Sequence, residues 1–178
     1  MASTITLHDT QFEPYITEQE ILQKVKDIAA AINKDYEGKK PLFIPILNGA
    51  FMFASDLFKS ITIPAEISFI KLASYKGMKS SGKVVTSIGL EEDLFGKDVI
   101  IVEDIVDTGK TLHKFLPKLV HQQPNSMKIA ALLHKSEATE YPLKLDYVGF
   151  DIPNKFVVGY GLDYDGLGRN LKEIYQLV

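Results

Sequence analysis

The apolar positions of this chain follow two rhythms. Ile21, Leu22, Val25, Ile28, Ala29 and Ile32 recur at the spacing of one helical face. Thr17-Glu18-Gln19-Glu20 in front of them is a capping box, so the pattern predicts a helix that stops between Asn33 and Gly38. Elsewhere the apolar residues come in short unbroken runs. Residues 42–47, 65–72, 84–88, 99–102, 127–133 and 156–160 read as strands, the longer runs buried. Residues 50–59 read as a helix, and a further helix should run from Leu112 to about His121. Pro117 inside it should kink it or remove one of its bonds. Pro45 takes a ladder donor out of the first long strand, which predicts a local edge or distortion there.

Composition narrows the class. The chain has 178 residues, 46% of them hydrophobic, which suits one domain with a substantial core. Its 20 basic and 23 acidic residues give no electrostatic case for nucleic acid. There is no cysteine, hence no disulfide framework, and His8, His113, His121 and His134 lack metal-ligand spacing. The N-terminal residues show no basic stretch followed by an apolar one, so no signal peptide is expected. The most apolar window, 41–58, contains Pro41, Pro45, Asn48, Gly49 and Asp56 and makes a poor membrane span. A cytoplasmic protein without a membrane partner is expected.

The candidate chemistry centres on Val99-Ile100-Ile101-Val102-Glu103-Asp104-Ile105-Val106-Asp107-Thr108-Gly109-Lys110-Thr111. A buried strand carries two carboxylates at its end. A small, hydroxyl-bearing turn then leads into a helix, and helix N-termini offer N–H groups and a favourable dipole to a phosphate. A P-loop would need glycine at 104, which is Asp104. A dinucleotide fingerprint beginning at Gly159-Tyr160-Gly161 would need its third glycine at Tyr164. Two carboxylates beside a phosphate cradle need another task. The adjacent hydroxyls of a ribose suit them, and a divalent cation would offset their repulsion. A ribose 5-phosphate fits this set.

This stretch resembles the phosphoribosyl-pyrophosphate (PRPP) motif of the type I phosphoribosyltransferases. Ser74-Tyr75, in the polar segment 74–83, resembles the lid signature of the hypoxanthine-guanine members. Leu47-Asn48-Gly49 resembles their pyrophosphate loop. Many members carry a basic residue in its middle, whereas here it is Asn48. Leu132-Leu133-His134-Lys135 lines up with their purine-reading lysine, and the stretch from Asp146 to Tyr164 resembles them most closely.

The resemblance implies an α/β fold: a twisted, mainly parallel sheet flanked by helices, in a single domain spanning 1–178. A small hood would be formed by the N-terminal segment and roughly 134–178. It implies purine salvage, in which the phosphoribosyl group of PRPP passes to hypoxanthine or guanine, giving IMP or GMP and pyrophosphate. Asp107 would be the acid/base group at the purine N7. Glu103 and Asp104 would hold the ribose hydroxyls, and Thr108, Gly109, Lys110 and Thr111 the 5′-phosphate. Leu47, Asn48, Gly49, Ser74, Tyr75 and Arg169 would contact the rest of PRPP.

By the same resemblance, Lys135, Phe156, Val157 and Ile105 would bind the purine. Asp163, with Glu103 and Asp104, would place Mg2+. An ammonium only donates, so Lys135 would favour a 6-oxo over a 6-amino ring. A homodimer or homotetramer is typical of the family. Two alternatives stand beside this reading: a non-catalytic regulator that binds PRPP or a nucleotide on the same fold, and a transferase for adenine, orotate or uracil. Asp107, Ser74-Tyr75 and Arg169 together argue against the first, and Lys135 with the 156–163 stretch against the second.

Overall fold

The computed structural model describes residues 4–74, 84–89 and 92–178. The first helix, α1 (Glu18–Asp35), begins at the expected capping box. Thr17 N–H donates to Glu20 at 2.9 Å and Glu20 N–H donates to the Thr17 hydroxyl at 3.3 Å. Two orphan donors of the first turn are thereby satisfied. Ile21, Val25, Ile28, Ala29 and Ile32 form its buried face.

The central sheet contains β3 (Leu42–Leu47), β4 (Glu66–Ile67), β5 (Ile70–Ser74), β6 (Val84–Ile88), β7 (Asp98–Val106), β8 (Ser126–His134) and β9 (Tyr147–Asp151). Its order is β6-β5-β3-β7-β8-β9, with β4 also on β3. The β3, β7, β8 and β9 ladders are parallel, and β6 alone runs antiparallel, against β5. Both faces are covered, which is why the central strands are apolar without alternation. Phe43, Ile100, Val102 and Leu132 meet α1 and α2 (Phe51–Lys59) on one face. Leu42, Ile44, Val99, Ile101 and Ile129 meet α3 (Lys110–Val120) on the other, through Leu112, Phe115 and Leu119.

Four expectations change. The carboxylates are not past the end of the central strand: β7 runs through Glu103 and Asp104 to Val106, because parallel pairing with β8 continues to His134. The following helix starts at Lys110, two residues early, and continues past Pro117 to Val120 as one helix. The 65–72 strand is broken into β4 and β5. Pro45 lies in an interior strand, opposite that break. The Phe43 carbonyl accepts from Ser68 N–H at 2.9 Å, so the alternate residue Pro45 turns its missing donor to the same side, where the ladder has a gap. Finally, the 156–160 strand shrinks to β10 (Val157–Val158), since Gly159 and Tyr160 both adopt positive φ.

A second, antiparallel sheet has the order β1-β2-β11-β10, with β1 (Ile5–Leu7), β2 (Thr10–Ile16) and β11 (Ile174–Leu177). It joins both ends of the chain. Tyr160 links this end of the molecule to α2 by donating its hydroxyl to Asp56 at 2.6 Å. No helix among the described residues is long and apolar enough to cross a membrane.

Candidate active site

The loops that follow β3, β7 and β8 lie at the carboxyl ends of neighbouring parallel strands, where open α/β sheets build ligand crevices. A cavity of about 240 Å³ is lined by residues 103–112. At its base Glu103 is buried, 7% exposed. Burial pushes its carboxyl well above the ordinary range, and the Asp104 carboxylate beside it adds to the rise. Burial also pushes Asp104 up, to about 6, against the Ile105 N–H that donates to Oδ1 at 2.8 Å and the attraction of Arg169. Glu103 forms no ion pair among the described residues. Two crowded, desolvated acids that form no close ion pair among the described residues are suited to a ligand that brings hydroxyl donors or a cation.

The turn 107–109 bends into α3 through Gly109, whose φ of 79° is left-handed. A side chain there would meet the Tyr141 carbonyl 2.5 Å away. Lys110 N–H donates to the Thr108 hydroxyl at 3.3 Å, and Lys110 and Thr111 are exposed at the helix N-terminus. Glu140 and Tyr141 N–H donate to the Thr108 carbonyl at 3.1 and 3.0 Å. The sequence reading did not single out these clamp residues. They act through backbone groups, which leave no side-chain signature.

The Leu47-Asn48-Gly49 loop meets the acidic pair at Gly49, which packs against Asp104. A Cβ at Gly49 would collide with the Asp104 carboxylate, and one at Gly161 with the Gly49 carbonyl. Asn48 is exposed, and the Leu47–Asn48 peptide is cis. Arg169 is anchored by its own neighbourhood. Its Nη1 donates to the Gly161 carbonyl at 2.6 Å and its Nη2 lies 2.6 Å from Asp163 Oδ1. Gly166 N–H donates to the other Asp163 oxygen at 2.8 Å.

Beside Asp107, which lines the cavity, Lys135 is buried, and its ammonium lies 3.1 Å from Asp107 Oδ2. Asn154 Oδ1 accepts from the same ammonium at 3.5 Å, a contact the sequence reading missed. Ile105 is half-buried on β7. Phe156 is 46% exposed, with Phe12 and Tyr164 against its ring at 6.2 and 5.8 Å. Val157 is buried in β10. Ser74 ends β5, while Tyr75 and the rest of the expected lid, 75–83, lie outside the described residues.

The family model described as the phosphoribosyl transferase domain matches residues 15–165. The chain belongs to the phosphoribosyltransferase family. A hypoxanthine-guanine phosphoribosyltransferase from Lactococcus lactis is 44% identical over 88% of this chain and 85% of its own length. A hypoxanthine phosphoribosyltransferase from Buchnera aphidicola is 42% identical over 92% and 94%. Among solved structures, a hypoxanthine phosphoribosyltransferase from Staphylococcus aureus has a TM-score of 0.88 at 41% identity, covering 93% of this chain and 91% of that one. The central sheet and its flanking helices are those of the type I phosphoribosyltransferase fold. The family acts on PRPP and generally does so with Mg2+.

Proposed function

We propose that this phosphoribosyltransferase is a purine salvage enzyme that joins hypoxanthine or guanine to PRPP and releases pyrophosphate. The observation that carries the base assignment is the buried Lys135 ammonium, held beside Asp107 and in contact with Asn154, two residues before Phe156. It can only donate, so it complements a 6-oxo group and opposes a 6-amino group. The names of the relatives agree with that chemistry.

In this reading the exposed Phe156 ring stacks on the purine, and Val157 and Ile105 line its edge. Asp107 accepts or returns the N7 proton. Glu103 and Asp104 take the ribose hydroxyls, and Thr108 through Thr111 cradle the 5′-phosphate. Leu47, Asn48 and Gly49 offer backbone groups to the pyrophosphate, while Arg169 supplies a guanidinium fork. Ser74 and Tyr75 begin the lid. Among the described residues no cluster of three or more His, Asp or Glu side chains could hold a metal alone. Magnesium commonly binds through one or two carboxylates, waters and substrate phosphates, so Glu103 and Asp104, with Asp163, fit a metal that arrives with PRPP. It would neutralise the departing pyrophosphate. The reading includes a cytoplasmic homo-oligomer with the hood over the base.

The test offers hypoxanthine, guanine and adenine separately with PRPP and Mg2+ and follows nucleotide formation. Hypoxanthine and guanine should react, and adenine should be disfavoured by about 10⁴-fold or more, the size of a buried polar mismatch. Comparable turnover of adenine would overturn the base assignment. Binding of PRPP without turnover of any base would favour the regulator.

A further inference from the structure

Tyr160 carries a buried phenol that the proposed reaction does not use. The residue is 2% exposed, and its hydroxyl donates to Asp56 Oδ2 on α2 at 2.6 Å. Burial and this bond push the phenol up, so it remains a donor at neutral pH. Its backbone is left-handed, with φ 49°, between Gly159 and Gly161, which are left-handed too. A bulky side chain keeps such a conformation only where its surroundings hold it there, and such strain gathers at ligand clamps.

Two contacts join this segment to the α2 region. At Gly161 a Cβ would lie 2.1 Å from the Gly49 carbonyl oxygen, so the two backbones touch in front of α2. Seven positions on from Gly49, within the helix, Asp56 takes the Tyr160 hydroxyl. The first contact alone would leave α2 and its leading loop free to pivot about Gly49. The second removes that rotation. What it fixes lies on both sides of the ligand crevice. Gly49 packs against the Asp104 carboxylate. Gly161 exchanges two bonds with Arg169: its N–H donates to the Arg169 carbonyl at 3.0 Å, and its carbonyl accepts from Arg169 Nη1 at 2.6 Å.

We propose that Tyr160 is a positioning residue for the pyrophosphate end of PRPP, holding the 47–49 loop in register with the Gly161–Arg169 unit through Asp56. The proposal rests on the reading above, in which that loop and Arg169 contact PRPP. The ring alone would serve the core, where it sits in one apolar cluster with Phe53 and Leu57 of α2. The hydroxyl adds direction: a hydrogen bond fixes an angle and a distance, which apolar contact does not.

The experiment measures kcat/KM for PRPP at saturating hypoxanthine and KM for hypoxanthine at saturating PRPP, with a melting curve for each protein. Tyr160→Phe keeps the buried ring and removes the hydroxyl. It should lower kcat/KM for PRPP by about three- to tenfold, the worth of one hydrogen bond, and leave KM for hypoxanthine within about twofold. Asp56→Ala should reproduce that loss. Asp56→Asn keeps an acceptor oxygen and should stay within about twofold of wild type, because the Lys59 partner it weakens is exposed and such pairs contribute little. Tyr160→Phe/Asp56→Ala should be no worse than either single variant, since both remove the same bond. Additive losses, equal losses toward both substrates, no rescue by asparagine, or a lowered Tm with unchanged kcat/KM for PRPP would overturn the proposal. A wild-type protein that does not turn over hypoxanthine would instead defeat the functional reading, and full kcat/KM for PRPP in Gly49→Ala would defeat the assignment of the loop.

Discussion

The Lys135 ammonium lies 3.1 Å from Asp107 Oδ2, and the two residues stand one position beyond the ends of neighbouring parallel strands. The pair is asymmetric: the Lys135 side chain is 8% exposed and the Asp107 side chain 48%. The buried partner is fixed, while the exposed carboxylate can leave it for a proton on a base. Without a base bound, each neutralises the other. In the proposed reading a 6-oxopurine gives each of them another partner, an oxygen to the ammonium and N7 to the acid.

Asp107→Asn tests the proton role. The amide keeps the shape and a contact to Lys135 but cannot act as a base. kcat should fall by about 10–100-fold, at or below the lower end of what general acid–base groups contribute, with KM for PRPP little changed. Steady-state kinetics with PRPP varied checks this. A fall of less than about threefold would remove Asp107 from the acid/base role.

The acidic pair makes a prediction about pH. Asp104 rises from 3.8 to about 6 in the folded state, and Glu103 rises well above its ordinary 4.5. Between the unfolded and folded values the native state binds more protons than the unfolded chain, so stability falls as pH rises. The contribution is fully present below about pH 4 and is lost as pH climbs through 6 and beyond. Melting curves between about pH 5 and 8 should show this decline for wild-type protein. Glu103→Gln should flatten it and melt higher at the alkaline end, with loss of activity, because the strain is kept for function. A wild-type and a variant profile of equal slope would sink the idea.

Gly49 is predicted to be irreplaceable for a specific reason. A methyl group there enters the space of the Asp104 carboxylate, which burial leaves little room to move. Gly49→Ala should displace both the loop and the acid. Since misplacement by about 1 Å can cost about 10²-fold, kcat/KM for PRPP should fall by about that factor. Unchanged kinetics would mean that the loop relaxes freely.

Much of this was legible in advance because it is local. The capping box at Thr17, the apolar stripe of α1 and the doubly buried runs of β3, β7 and β8 are periodicities of a few residues. The candidate site residues could be named from motifs, but their environment could not. A lysine at a strand end is usually solvated. The depth of Lys135 comes from Asp107, 28 positions away, and Asn154, 19 away, which only strand pairing brings together. The break between β4 and β5 lies opposite Pro45 in the adjacent strand, a pairing that local sequence does not report. The resemblance named Arg169 as a PRPP contact, but its anchoring to Gly161 and Asp163 was not legible, since nothing in local sequence reports a loop folding back on itself.

That anchoring alters what its substitution should do. Arg169 is the only arginine beside 19 lysines. Its two terminal nitrogens are already engaged, one by a backbone carbonyl and one by Asp163, and its side chain is 29% exposed. Arg169→Lys keeps the charge but can satisfy only one of these partners well, because an ammonium is a point donor and a guanidinium a planar fork. Bonds to charged groups are worth about 1.5–3 kcal/mol, and partial exposure reduces this to about 1–2 here. For a chain of this size that is a fall in Tm of about 2–8 °C. If Arg169 also grips pyrophosphate, kcat/KM for PRPP should drop by about 10–100-fold while KM for hypoxanthine changes little. The melting curve and the kinetics separate the two roles. A lowered Tm with unchanged kcat/KM for PRPP would make Arg169 a brace for the Gly161–Asp163 turn alone. A kinetic loss with an unchanged Tm would show that the ties to Gly161 and Asp163 carry no stability and that the fork serves the ligand.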